Sequence, residues 1–133
     1  MTVEETLEFF LRFRGVEDRE RIINQTLADY DLKTCANIVA ERLSFNQRKK
    51  LSIAVVLLSD AKIILLDEPS TGLDVVNKRL IWAKIKEAKP GKIIVVVSQD
   101  MQAAEVLGDR IGYIQKGSLK KCGSYQFFDK LYD

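Results

Sequence analysis

Apolar positions along the chain follow one spacing before residue 59 and another after it. In the first stretch they recur every three or four residues, as on a helix face. Leu7, Phe10 and Leu11 share such a spacing, with Phe9 and Phe13 beside them. Thr2-Val3-Glu4-Glu5 opens this helix as a capping box, and Gly15 ends it. A second helix is predicted from about Asp18 to Tyr30, with Ile23, Leu27 and Tyr30 on one face. Leu32 to Arg42 is less regular. Ser44 then suits the N-cap of a third helix, on which Leu51, Ala54, Val55 and Leu58 form the buried face. Arg48, Lys49 and Ser52 point away from that face.

After Ser59-Asp60-Ala61 the pattern changes to short continuous apolar runs. Ile63-Ile64-Leu65-Leu66 reads as a strand buried on both faces, as in a parallel sheet. A helix follows from Asp74 to about Ala88, with Leu80, Ile81, Ile85 and Ala88 apolar, and Pro90-Gly91 stops it. Lys92 to Ser98 is a second strand, β-branched almost throughout. A short helix from Met101 to Leu107 and a third strand from Arg110 to Gln115 come next. Lys116-Gly117 turns that strand into an antiparallel partner, Ser118 to Cys122. Ser124 caps a last helix carrying Tyr125, Phe127, Phe128, Leu131 and Tyr132. Alternating strands and helices predict an α/β fold. Residues 1–58 are expected to form a helical annex to an α/β part at 59–133.

Composition narrows the function classes. The 133 residues fit one domain, and 47% of them are apolar, enough for a core. A net charge of +2 points to neither a nucleic-acid tail nor an acidic partner. The runs Arg48-Lys49-Lys50 and Lys120-Lys121 read as solvated faces. Two cysteines, Cys35 and Cys122, have no metal-binding spacing, and no disulfide between them is expected. There is no histidine. No apolar run approaches the ~20 residues of a membrane helix, and no signal-peptide pattern opens the chain. The chain by itself is expected to be soluble, whatever it is attached to.

Candidate chemistry lies at the end of the first strand. Asp67 and Glu68 follow its apolar run directly, and Asp74 closes the Pro69-Ser70-Thr71-Gly72-Leu73 turn. Ligands gather at the carboxyl ends of strands in open α/β sheets. Neighbouring strand residues point to opposite sides, so the pair can divide two tasks. One carboxylate can hold a magnesium ion, and the other can orient or deprotonate a water. Ser44 marks a second candidate, because a helix N-terminus favours anions.

The run Leu65-Leu66-Asp67-Glu68-Pro69-Ser70-Thr71-Gly72-Leu73-Asp74 resembles the Walker B and D-loop segments of ATP-binding cassette (ABC) proteins. Leu43-Ser44-Phe45-Asn46-Gln47 resembles their signature motif, Leu-Ser-Gly-Gly-Gln, at the required helix-length before Walker B. The resemblance implies a partial P-loop NTPase fold with a mostly parallel sheet, preceded by the helical signature subdomain. It implies ATP and Mg2+ as ligands, a second cassette as dimer partner, and the transmembrane domains of a transporter. It further implies that Asp67 holds magnesium through water and that Glu68 polarises the attacking water. Ser44, Asn46 and Gln47 would face the γ-phosphate of the opposite cassette, and Asp74 would reach across the dimer. The opening Thr2 to Phe10 with Gly15-Val16, and the ending Gly117 to Ser124, resemble the A subfamily, whose members move lipids.

Three features depart from the family pattern. Phe45 and Asn46 stand where two glycines are usual, and glycine is what lets a phosphate approach the backbone. Gln99 stands at the switch-histidine position; it can hydrogen-bond a phosphate or water but cannot carry a proton charge. No Gly-x-x-x-x-Gly-Lys-[Ser/Thr] phosphate loop is present, so the Walker A half is missing. The isolated chain is therefore expected to be inactive as an ATPase, and a gap or rearranged pairing is expected beside the second strand. It is expected to be a fragment, a truncated product or a decayed copy of a cassette at the cytoplasmic face of a membrane. Two other classes stay open. One is a silent remnant that pairs with or regulates an active cassette. The other is a soluble ABC protein acting on ribosomes or DNA, which the absence of a large basic patch disfavours, so no nucleic-acid partner is expected.

Overall fold

A computed structural model describes residues 1–132; of the last helix's expected apolar residues, the side chains of Leu131 and Tyr132 lie outside the described set. Three helices lead: α1 (Val3–Phe13), α2 (Arg19–Asp29) and α3 (Phe45–Leu57), with two single 3-10 turns between α2 and α3. Strand β1 (Ile63–Asp67), helix α4 (Val75–Ala88), strand β2 (Ile93–Val97) and helix α5 (Met101–Leu107) follow. A hairpin of β3 (Ile111–Gln115) and β4 (Ser118–Gly123) leads to α6 (Tyr125–Tyr132).

The expected Thr2–Glu5 capping box forms, and the expected Ser44 N-cap proves to be part of a second box. The Thr2 hydroxyl accepts from the Glu5 amide at 3.2 Å, and the Thr2 amide donates to the Glu5 carboxylate at 2.8 Å. Ser44 and Gln47 repeat the exchange at the start of α3. Each bond satisfies a helix-end donor that would otherwise have no partner.

Helix α2 buries Ile23 and Leu27, with Tyr30 just beyond it, as expected, whereas α1 and α3 differ in part from the expected faces. On α1 the core face is Val3, Leu7 and Leu11 at successive i, i+4 steps, while Phe9, Phe10 and Phe13 are exposed. Lys50 is not on a solvated face: it is 4% exposed, and its ammonium reaches the Asp31 carbonyl at 3.2 Å and carboxylate at 3.4 Å. Its alkyl stem lies in the core while its charge meets oxygens at the end of α2. On α3, Leu51 and Ala54 are buried as predicted and Ile53 joins them, whereas Val55 and Leu58 are only partly covered. One core runs from Val3 through Ile64 and Leu66 to Leu107, so no apolar break separates the leading helices from the α/β part. Arg14, at the end of α1, also pairs with Asp60 just before β1.

Strands β1 and β2 pair in parallel, from Ile63 opposite Ile93 to Asp67 opposite Val97. Among the described residues, β3 pairs with β4 and not with β2, so the sheet stops at two strands. This is the gap expected beside the second strand. The expectation that β1 is buried on both faces does not hold. Ile64 and Leu66 are buried against helices, but Ile63 is 61% and Leu65 73% exposed. Ile93, Val95 and Val97 are exposed on β2 in the same alternation. Helices cover one side of the pair only, and side-chain alternation divides each strand between a finished face and an open one. Cys35 is buried and Cys122 exposed, and neither forms a disulfide.

Candidate functional site

The loop from Asp67 to Asp74 is built by backbone geometry before side-chain chemistry. Glu68 has φ +45°, in the left-handed region that non-glycine residues seldom enter. Such a conformation costs on the order of 1–3 kcal/mol and persists where the surroundings hold it in place. Here the Glu68 amide donates to the Val97 carbonyl at 2.8 Å, extending the strand pairing by one residue. The Thr71 amide donates back to the Glu68 carbonyl at 3.4 Å. Ser70 is buried, and its hydroxyl accepts from the Trp82 indole at 3.0 Å. That bond ties the middle of the loop to α4. Gly72, at φ +79°, supplies the second left-handed turn, and Leu73 is buried beyond it. Asp74 then caps α4 by accepting from the Asn77 amide at 2.9 Å.

The Glu68 carboxylate is held by three donors. Thr71 Oγ1 lies 2.6 Å and Ser98 Oγ 3.1 Å from Oε2, and the Gln99 amide lies 2.9 Å from Oε1. The Thr71 hydroxyl bond, with the Gln99 amide and Ser98 hydroxyl behind it, holds the Glu68 carboxyl below the usual carboxylate range. The Ser98 hydroxyl in turn accepts from the Asp100 amide at 3.1 Å, and Asp100 caps α5 and pairs with Lys78 of α4 at 2.9 Å. The Lys78 ammonium likewise keeps Asp100 ionised. Glu68, Thr71, Lys78, Gln99 and Asp100 line an open cleft of about 570 Å3.

Asp67 stands apart from this arrangement. Its carboxylate is exposed and bonds to no other described residue. It borders a smaller recess of about 190 Å3 with Lys49, Ser52 and Leu65. The two adjacent acids therefore serve separate recesses. No cluster of three potential metal ligands exists among the described residues. Magnesium nonetheless suits Asp67, because that ion commonly takes one or two carboxylates and completes its shell with water and phosphate oxygens.

The remaining candidates fall into place around this loop. Ser44 and Gln47 are engaged with each other in the α3 capping box. Asn46 Nδ2 donates to Asp74 Oδ2 at 2.8 Å, joining two candidates 28 residues apart. The two bonds from Asn77 keep Asp74 ionised below its usual range. Gln99 reaches Glu68 through its backbone amide, while its side chain is exposed. Sequence reasoning missed Thr71, Ser98, Ser70, Trp82 and Lys78. Ser98 had a signal: two parallel strands ending together place Glu68 and Ser98 side by side. Trp82 had none.

The sequence profile of the ABC transporter family matches residues 1–71. The chain belongs to that family. ATP-binding cassette sub-family A member 9 of Mus musculus is 36% identical over 132 residues, covering 98% of this chain and 8% of the relative. Member 2 of Homo sapiens is 36% identical over 134 residues, covering 99% of this chain and 6% of the relative. The chain thus spans less than a tenth of the length of these curated relatives. Its fold matches the ATP-binding subunit of an ABC transporter at a TM-score of 0.83 and 21% identity, covering 99% of this chain and 56% of that one. It also matches a dimeric ATP-binding cassette in a post-hydrolysis state bound to ADP and Pi, at a TM-score of 0.77 and 26% identity. That match covers 93% of this chain and 56% of the other. The A-subfamily resemblance of the two chain ends is thereby supported by whole-chain relatives, and the α/β ABC fold is as expected. No helix among the described residues is long and apolar enough to cross a membrane.

Proposed function

We propose that this chain forms part of an ATP-hydrolysing cassette that powers transport across a membrane, at its cytoplasmic face, with lipids as the cargo class. The observation that carries the reading is the Glu68 carboxylate, kept ionised by three donors at the carboxyl end of a parallel strand and opening onto a cleft. An ionised carboxylate there accepts a hydrogen bond from a water and orients it for attack. Asp67 would hold magnesium through water, and the metal would neutralise charge on the transferring phosphoryl group. Ser44, Asn46, Gln47 and Asp74 would face nucleotide across a dimer of cassettes, and Gln99 would stand beside the attacked phosphate in place of histidine. The phosphate cradle itself must come from residues outside this chain, because no glycine-rich Lys-[Ser/Thr] loop is among its 133 residues.

The test joins this chain behind the Walker A half of a sub-family A cassette and measures ATP turnover. Glu68→Gln is expected to lower kcat by about 10²-fold or more while nucleotide binding is retained. The chain alone is expected to turn over no faster than its Glu68→Gln variant. Equal turnover of the joined protein and its variant would overturn the catalytic role. A second reading, a silent cassette that pairs with an active one, draws on Phe45, Asn46 and Gln99 in place of glycines and histidine. It predicts pairing with a cassette partner and no nucleotide binding by the joined protein.

A further inference from the structure

The turn that opens α3 touches the loop that opens α4 at two points. Asn46 Nδ2 donates to Asp74 Oδ2 at 2.8 Å. Beside it, the Phe45 ring lies against Gly72, so closely that a Cβ on Gly72 would come within 3.0 Å of the ring. Phe45 is 58% exposed, so burial in the core is not what holds the ring there. Gly72 answers on its own side: its φ of +79° and its bare Cα together make room for the ring. Both contacts come from the two positions at which the signature motif has glycines. A glycine pair carries neither a ring nor an amide side chain, so it could form neither contact.

What lies between these two contacts and the cleft is short. Gly72 follows Thr71, whose hydroxyl donates to Glu68 at 2.6 Å. Asp74, the other end of the loop, fixes the start of α4 through Asn77. The α3 turn is thus joined through Phe45 and Asn46 to the segment that supplies Thr71.

We propose that Phe45 and Asn46 are positioning residues that clip the start of α3 to the Thr71–Asp74 loop and so set where Thr71 meets Glu68. The clip replaces the flexibility of two glycines with a ring contact and a charge-assisted hydrogen bond. The two contacts act as one unit, because each holds the loop where the other can form. Its catalytic meaning rests on the function proposed above, but the clip itself does not, and it is read in the chain without nucleotide.

The experiment is NMR on the full chain. The Gly72 α-protons are expected to be shifted upfield by the Phe45 ring. Asn46→Ala removes the hydrogen bond and leaves the ring. If the contacts form one clip, the Gly72 α-proton signals move back toward unstructured values. The Thr71 and Leu73 amides, bonded to the Glu68 and Ser70 carbonyls, then exchange about tenfold faster, as for one lost stabilising bond. Phe45→Tyr keeps the ring and preserves both readouts, whereas Phe45→Gly abolishes the upfield shift and speeds the same two amides. Amides of α1 serve as the reference and are expected to stay at their parent rates. If Asn46→Ala slackens the reference amides too, Asn46→Asp, which keeps the side-chain size and sets two carboxylates together, gives the same reading. Unchanged Gly72 signals and unchanged Thr71 and Leu73 exchange in Asn46→Ala would overturn the clip. Loss of ATP turnover in the joined cassette would bear on the catalytic role and not on these signals.

Discussion

The two faces of the β1–β2 pair carry the same kinds of residue and opposite fates. On one face Ile64 and Leu66 are buried, with Ile94 and Val96 packed against the same core as Ile81, Trp82 and Ile85. On the other, Ile63, Leu65, Ile93, Val95 and Val97 are exposed. The acids at the strand end inherit this division. Asp67 continues the alternation of Ile63 and Leu65 onto the open side, and its carboxylate has no partner among the described residues. Glu68, turned by its left-handed backbone, is met by donors from its own loop and from the residues that follow β2. The acid proposed to orient water is thus organised by this chain, whereas the acid proposed to hold magnesium stands on a surface that this chain leaves uncovered.

Paired truncations across the sheet are the strongest way to break this contrast. Ile64→Ala on the covered face is expected to destabilise the chain by about 2–5 kcal/mol, the usual range for a buried large-to-small change. Leu65→Ala, one residue away on the open face, is expected to stay within about 0.5 kcal/mol. Urea unfolding of both variants against the parent chain measures this. Comparable losses at the two positions would mean that the open face is covered in solution.

Trp82 tests the covered side at the loop rather than the strand. Trp82→Phe keeps an aromatic ring in the core but removes the donor to buried Ser70. Leaving that hydroxyl unsatisfied is expected to cost about 1–3 kcal/mol. Adding Ser70→Ala to Trp82→Phe should recover part of the loss, and a double-mutant cycle in urea isolates the pair. A strictly additive double variant would show that the loop does not depend on this bond.

What could be read from the sequence was local. The Thr2–Glu5 box and the Ser44 N-cap are relations within a single helical turn, and a helix makes its own neighbours at that spacing. The apolar runs of β1 and β2 likewise announce strands. The same runs hid the open face, because a continuous apolar strand looks identical whether both sides are covered or one awaits a partner. Phe9, Phe10 and Phe13 misled for a related reason: hydrophobicity marks what can be buried, and only the packed structure shows that Val3, Leu7 and Leu11 are what α1 buries. Lys50 and Asp31, or Asn46 and Asp74, are joined across 19 and 28 residues by the fold, and no periodicity reports such a pair. The motif singled out the two acids but could not tell that one would be engaged and the other free.

The smallest effect, and the sharpest on Glu68 itself, is expected from Thr71→Val, which keeps the side-chain shape and removes the hydroxyl. Thr71 is the largest cause of the lowered Glu68 pKa, so the variant should move it upward, toward the ordinary value of about 4.3. Titration of the side-chain carboxyl carbon by NMR reads this directly. Stability should follow with a defined sign. A carboxyl whose folded pKa lies below its unfolded value stabilises the fold at pH above the unfolded pKa, and that contribution is lost as pH falls through the folded pKa. The parent chain and Thr71→Val should therefore differ most above about pH 5, where Glu68 is ionised in both. Their stabilities should converge in acid, where protonated Glu68 gains little from the hydroxyl. A gap that stays constant across the titration would mean that Thr71 supports the loop without acting on the charge of Glu68, and the distinction between an engaged acid and a free one would then rest on Ser98 and Gln99 alone.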